Sequence, residues 1–309
     1  MKFSILLPTL GIRKQEVDRL FKSLNGQTYK DFEIVIVSQV NHDNINKLKE
    51  KWNELSINHI EIEEKGISLS RNVGIFECKG EWIILSDDDC WYPKDALETI
   101  NKRITTYNAD ILLSQIYDPE SKQEYKDYPN KMKIIKNKFE LMSKSSIEIA
   151  IKKSKIEKGF DKEFGLGAEY VCGEEVDFLL SNFKKCRTVY CPDITVYHLK
   201  KNKKDSKKQI IAKGALYGKN FNIVIAILIC LRDLIKKKEN NFEPFWRGYN
   251  EYNKRIYKSK NYKSNLEKNI KTNKKWQKQK NDINRNTSTW KFGGSRYCRR
   301  RKKFYKRIL

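Results

Sequence analysis

Short apolar runs alternate with amphipathic stretches across the first hundred residues, and this alternation limits the chain to an α/β architecture. Residues 3–7 (FSILL) read as a buried strand. Val17, Leu20, Phe21 and Leu24 then fall at i, i+3, i+4 and i+7, one face of a helix. Residues 32–37 (FEIVIV) form a second apolar run, 45–55 a helical stretch and 59–62 a third short strand. A helix over 68–77, the apolar strand Trp82–Leu85 and a helix opening at Pro93 complete the series. Strands joined through helices pair mostly in parallel, with both sheet faces covered. Ligands of such sheets bind beyond the carboxyl ends of the strands. Pro8-Thr9, Ser38-Gln39 and Ser86 to Asp89 all converge at that edge.

The rest of the chain divides by charge. Residues 110–117 read as a strand, 120–138 as a polar loop, and 165–173 as a glycine-punctuated loop. A helix follows with Val176, Leu179, Leu180 and Phe183 on one face, and then two short strands around Val189 and Val196. From Lys200 onward the chain carries 34 basic and 7 acidic residues, a net of +27, against −2 for the first 199. A near-neutral α/β domain over 1–205 and a basic, helical C-terminal extension over 206–309 are therefore expected. The seven cysteines contain no CxxC pair and are odd in number, which suggests neither a cysteine zinc site nor a disulfide framework and points to reduced thiols. The N-terminal apolar run meets Pro8 too early for a signal peptide, and residues 223–231 are too short to span a bilayer. A cytoplasmic location is expected.

The chemistry concentrates in a few segments. Asp87, Asp88 and Asp89 directly follow an apolar strand, where three adjacent carboxylates repel unless a cation or hydrogen bonds offset them. Hard oxygen ligands of this kind, together with nucleotide phosphates, suit Mn2+ or Mg2+. Capping of the helix at Pro93 is the competing explanation. Glu174, Glu175 and Asp177 open a helix behind glycines, as ligand-facing acids or as ordinary first-turn acids. His198 ends a short strand and can ligate a metal or serve structurally. Arg71 can bond a diphosphate or form an ion pair.

Taken in order, the pieces ILLPTLG, SLNGQTY, FEIVIV, GISLSRNVGI, KGEWIILSDDDCWYP and FGLGAEYVCGEEVDFL, with VYH downstream, resemble family-2 glycosyltransferases of the GT-A fold. The resemblance covers about residues 3–200. It implies a nucleoside pocket lined by Pro8, Thr9 and the Ser38-Gln39 position, with Arg71 reaching the base or the diphosphate. Asp87 and Asp89 would form the DxD pair, with Asp88 or Asp89 on the metal and His198 completing its site. Glu174 and Asp177 would lie on the acceptor side, and Glu175 would be the catalytic base. Two departures stand out: Ser38-Gln39 replaces the usual base-contacting aspartate, and Ser86 replaces the first acid of the commoner DxDD pattern. The register of the metal pair stays open by one residue.

The implied reaction is an inverting transfer from a nucleotide-sugar donor, with uridine as the expected base, to a saccharide or lipid-linked saccharide acceptor. Residues 118–160 are expected to supply the sugar contacts. A nucleic-acid-binding protein is the alternative, because lysines of the basic segment alternate with Trp246, Tyr249, Tyr252, Tyr257, Tyr262, Trp276 and Trp290. That reading leaves the ordered acids unexplained. The same basic segment, with the apolar block at 223–231, is expected to hold the protein on an anionic membrane surface.

Overall fold

The computed structural model describes residues 1–200, 206–237 and 242–257. They fall into two compact units, one up to Ser206 and the other from Lys207 onward. Expectations for the remainder of the basic segment lie outside the described residues.

The first unit is built on one mixed sheet. In chain order its elements are β1 (Phe3–Thr9), α1 (Lys14–Asn25), β2 (Phe32–Ser38), α2 (His42–Lys51), β3 (Ile57–Glu61), α3 (Ile67–Glu77), β4 (Trp82–Leu85), α4 (Ala96–Tyr107), β5 (Ile111–Asp118), the two-residue strands β6 (Gln123–Glu124) and β7 (Lys133–Ile134), β8 (Ile149–Lys152), α5 (Glu174–Asn182) and β9 (Thr188–Tyr197). The strand order is β3-β2-β1-β4-β8-β5-β9-β7, with β6 beside β5. The pairs β1–β2, β1–β4, β2–β3 and β5–β9 are parallel. β8 runs antiparallel to both β4 and β5, so it joins two parallel blocks.

Alternate strand residues face opposite layers. Phe3, Ile5, Leu7, Ile34 and Ile36 pack with Val17, Leu20, Phe21 and Leu24 of α1 and with Ile100 and Ile104 of α4. Leu6, Val35 and Val37 pack on the other face with Ile75 of α3 and Phe178 and Leu179 of α5. Helix α3 lies close on the sheet at Gly74, where a Cβ would sit 2.1 Å from Leu6 Cδ1. Pro8 is tolerated inside β1 because pairing with β4 ends at Leu6–Leu85, so its missing N–H interrupts no ladder on that side.

Three features differ from the expectations. The helix after the acids starts at Ala96 rather than at Pro93, because Pro93 opens a turn whose carbonyl accepts from the Ala96 N–H. The polar loop expected over 120–138 contains the two-residue strands β6 and β7, and β8 follows where no element was expected. The two strands expected around Val189 and Val196 are one, β9, whose register against β5 shifts between Leu113 and Ile116. The six cysteines among the described residues are free.

The second unit contains α6 (Lys207–Asn220), α7 (Ile223–Lys237) and a helix over 242–257. The apolar block lies within α7, where Ala226, Ile229 and Cys230 are buried. Ile223, Val224, Ile227, Leu228 and Leu231 are exposed and share another face.

Candidate active site

The carboxyl ends of β1, β2 and β4 open onto one pocket of about 430 Å³. Pro8, Thr9, Ile12 and Arg13 line it from the β1 side, Gln39 from β2, Gly66 and Ile67 from the start of α3, and Asp87, Asp88 and Asp89 from β4. Leu166 and Gly167 come from the glycine-punctuated loop, and His198 from the end of β9. Seven of the residues expected from the sequence therefore meet at one cavity: Pro8, Thr9, Gln39, the three aspartates and His198.

The three aspartates point in different directions. Asp87 accepts from Arg71 Nη2 at 2.9 Å and from Ser146 Oγ at 3.0 Å. Asp88 accepts from Thr9 Oγ1 at 2.8 Å and from Arg13 Nη1 at 2.8 Å. Asp89 accepts from the same Arg13 Nη1 at 2.8 Å, and its other oxygen lies 3.0 Å from His198 Nε2. Burial raises the Asp88 carboxyl pKa, against the pull of Thr9 and Arg13. Arg19 adds a bond to the Asp89 carbonyl and stacks 3.7 Å over the Trp91 ring, fixing the turn after the acids.

Asp89 and His198 are the pair suited to a divalent cation. Their facing atoms, a carboxylate oxygen and an imidazole nitrogen, are already within one coordination sphere, and both residues border the pocket. The half-exposed Arg13 guanidinium shows that this corner accepts positive charge. Mn2+ and Mg2+ commonly take one or two protein ligands and complete their shell with phosphate and water, so the residues present fit such an ion.

Arg71 does not line the pocket. It is 1% exposed and lies behind the acids, with Nη1 2.9 Å from Glu174 Oε1 and its guanidinium carbon 5.2 Å from the Phe160 ring centre. The expectation that it reaches the base or the diphosphate gives way to a positioning role, because both carboxylate partners are drawn inward by its buried charge. Asp177 is also too enclosed, at 1% exposure, to touch an acceptor. Glu174 is buried, whereas Glu175 beside it keeps partial exposure. Both sit in the first turn of α5 after Gly173, whose φ of 94° is the left-handed conformation that suits glycine. Burial, and next the charge of Glu174, raise the Glu175 carboxyl well above the ordinary range, with Arg71 opposing.

Gln39 is held by a bond from the Gly66 N–H to its Oε1 at 2.6 Å. Its side-chain oxygen is thereby engaged, so the amide NH2 is the group left to face the pocket. Arg13, Arg19 and Ser146 are site residues that sequence reasoning missed. Arg13 had a signal, a cation four residues beyond the strand end at Thr9, whereas Ser146 reaches Asp87 only through the reversed strand β8.

The profile described as Glycosyl transferase family 2 matches residues 4–159. The chain belongs to that family, and its fold is GT-A. GlyA, a glycosyltransferase of Streptococcus pneumoniae, is 30% identical over 118 residues, which cover 38% of this chain and 17% of that protein. The poly(ribitol-phosphate) beta-N-acetylglucosaminyltransferase TarS of Staphylococcus aureus is 29% identical over 118 residues, covering 37% of this chain and 20% of TarS. The matched segment thus spans a fifth or less of either relative. The S. aureus TarS structure in complex with UDP superposes with a TM-score of 0.59 at 18% identity, over 78% of this chain and 74% of that one. A mannosyltransferase of Pyrobaculum calidifontis in complex with GDP-Man and Mn2+ superposes with a TM-score of 0.51 at 14% identity, over 81% and 69%.

Proposed function

We propose that this protein transfers a sugar from a nucleoside diphosphate donor, with a UDP-sugar as the preferred class, to a saccharide or lipid-linked saccharide acceptor. The observation that carries this reading is the convergence of Gln39, Thr9, the aspartate triplet and His198 on one pocket at the sheet's carboxyl edge. TarS structures hold UDP and UDP-GlcNAc on the same fold, which supports uridine as the base.

In the proposed mechanism, Pro8 and Thr9 floor the nucleoside pocket and the Gln39 amide NH2 donates to a carbonyl of the base. Asp89 and His198 would hold Mn2+ or Mg2+, which when bound offsets the negative charge gathering on the departing diphosphate. Arg13, at the same corner, contributes its own positive charge toward the phosphates. Arg71 keeps Asp87 and Glu174 in fixed orientation. Glu175 takes the proton from the acceptor hydroxyl, its raised pKa bringing it nearer neutrality, where a general base works best. A single displacement inverts the anomeric configuration.

The exposed apolar face of α7 supports peripheral attachment to an anionic membrane. Shallow insertion of that face and the net +27 of the basic segment are the two complementary signals such binding requires. Incubation of the purified protein with a panel of UDP-, GDP- and CDP-sugars, with Mn2+ and with EDTA, tests the donor reading by nucleotide release. No release from any sugar nucleotide, with or without saccharide acceptors, would remove it.

A further inference from the structure

The chain contains only three histidines, and two of them meet on one serine outside the catalytic pocket. Ser38 Oγ, at the end of β2, lies 2.5 Å from His42 Nδ1 and 2.7 Å from His59 Nε2. His42 opens α2, and His59 and Glu61 project from the same face of β3 because they are two residues apart. The β2–β3 register sets Ser38 opposite Glu61. Asn46 of α2 closes the group, with Oδ1 2.8 Å from His59 Nδ1 and Nδ2 3.1 Å from Glu61 Oε1.

The proton positions follow from the partners. A carboxylate only accepts at neutral pH, so Asn46 turns its NH2 to Glu61 and its carbonyl oxygen to His59. His59 Nδ1 therefore carries a proton and donates it. Burial lowers the His59 pKa, keeping the ring neutral, so its Nε2 accepts from the Ser38 hydroxyl. Ser38 in turn accepts from His42 Nδ1. A directed chain runs from His42 through Ser38, His59 and Asn46 to Glu61.

We infer that His42, His59 and Glu61 form a second metal site, of the two-imidazole, one-carboxylate class suited to Zn2+. One ligand atom from each lies within 4.8 Å of those of the other two, and this is the one such group of three His, Cys, Asp or Glu residues among the described residues. Imidazole and carboxylate are ordinary Zn2+ donors, and three protein ligands leave one position for water. Glu61 is exposed and opens an entry path, whereas the His59 side chain is nearly enclosed and fixed in orientation. Ser38 and Asn46 occupy both His59 nitrogens, so the ion takes the place of one of these bonds and the other partner stays as the outer contact that orients the ring. Each ring binds through an unprotonated nitrogen and keeps its proton on the other, so the ion takes the place of the hydrogen bond at the coordinating nitrogen.

The ion would clamp α2 to β3 beside the end of β2, where Gln39 follows Ser38. Its role is to stiffen that wall of the pocket rather than to join the transfer step, and the site stands whether or not the proposed donor is correct.

The full-length protein, stripped with chelator and titrated with Zn2+ alone in a calorimeter, tests this. One equivalent should bind and raise the thermal unfolding midpoint. His42→Ala and Glu61→Gln, both at solvent-accessible positions, should each weaken that affinity by at least about tenfold. Asp89→Asn combined with His198→Ala should leave it unchanged. Co2+ as a second probe should give a visible spectrum free of thiolate charge-transfer bands. The site is refuted by absence of stoichiometric Zn2+ binding. It is equally refuted by unaltered affinity in both His42→Ala and Glu61→Gln, or by loss of binding in the Asp89–His198 double variant alone.

Discussion

Asp87 and Glu174 share a single buried guanidinium: Arg71 donates to an oxygen of each at 2.9 Å and is itself 1% exposed. This ties the turn after β4 to the first turn of α5, the two places where acids of the site arise. Arg71→Met removes the charge and leaves two carboxylates facing each other in a poorly solvated space. Breaking a buried pair in this way costs about 3–5 kcal/mol. The partial exposure of Asp87 places the expected loss near the lower end, about 3 kcal/mol. Urea denaturation measures it, and a variant as stable as the parent would show that the bridge contributes nothing net.

Nucleotide binding should require a divalent cation. With Mn2+ present, Asp89→Asn or His198→Ala should weaken UDP binding by at least about tenfold, with little change in the circular dichroism spectrum. EDTA should have a comparable effect on the parent protein. Equal affinity for UDP in Mn2+ and in EDTA would refute metal-dependent donor binding.

Glu175→Gln should separate binding from chemistry. The amide keeps the size of the side chain but cannot take a proton, so transfer should fall by ~10²–10⁴ while UDP affinity is retained. A base must be deprotonated to act, and burial raises this carboxyl's pKa. The parent's rate should therefore be lost on acidification at a pH clearly above the ordinary carboxylate range. A rate profile that stays flat down to that range would exclude Glu175 as the base.

The same shift has a stability consequence of opposite sense. A carboxyl with a raised folded-state pKa contributes its stability below the unfolded value and loses it as pH climbs through the folded value. Glu175→Gln, uncharged throughout, should thus gain stability relative to the parent as pH rises from the ordinary glutamate range toward neutrality and beyond. Paired thermal melts across that interval give the comparison, and a difference independent of pH would contradict the raised pKa.

Attachment to anionic membranes should depend on the exposed face of α7. Full-length protein should sediment with phosphatidylserine-containing vesicles and release at high salt, because each basic residue near the surface adds about 1 kcal/mol that salt screens. Leu228→Glu, at a position 60% exposed, should reduce sedimentation without unfolding the chain. Equal sedimentation with neutral and anionic vesicles would argue against the electrostatic part, and unchanged sedimentation of Leu228→Glu against the apolar part.

Much of the donor half was legible because its signals are local. The strands β1, β2 and β4 are apolar runs, each followed by the polar residues that line the pocket, so parallel pairing alone brings Thr9, Gln39 and the aspartates together. Strand β8 was not legible: its four residues are too few for length or period to separate strand from other apolar segments. The continuity of β9 was hidden by Pro192, which normally ends a strand. The irregular register against β5 accommodates it by interrupting the ladder where an N–H is missing. Arg71 was singled out as a cation for a diphosphate or an ion pair, but its inward direction depends on which side of α3 meets Phe160 and Glu174. The His42–Ser38–His59 cluster depends on strand register and a helix start together, and no spacing in the chain announces it.

The reversal of β8 has an architectural consequence. Strand β5 runs on to Asp118, and β8, running against it, enters with Ile149 opposite Leu113. Residues 119–148 therefore leave and return on the same side of the sheet, held by the buried side chains of Tyr128, Ile135, Leu141 and Ile147. None of β1, β2 or β4 passes through this segment, so it can change in length without altering their path. The ends of β1, β2 and β4 can thus stay fixed while this segment varies, and Ser146, bonded to Asp87, links the two.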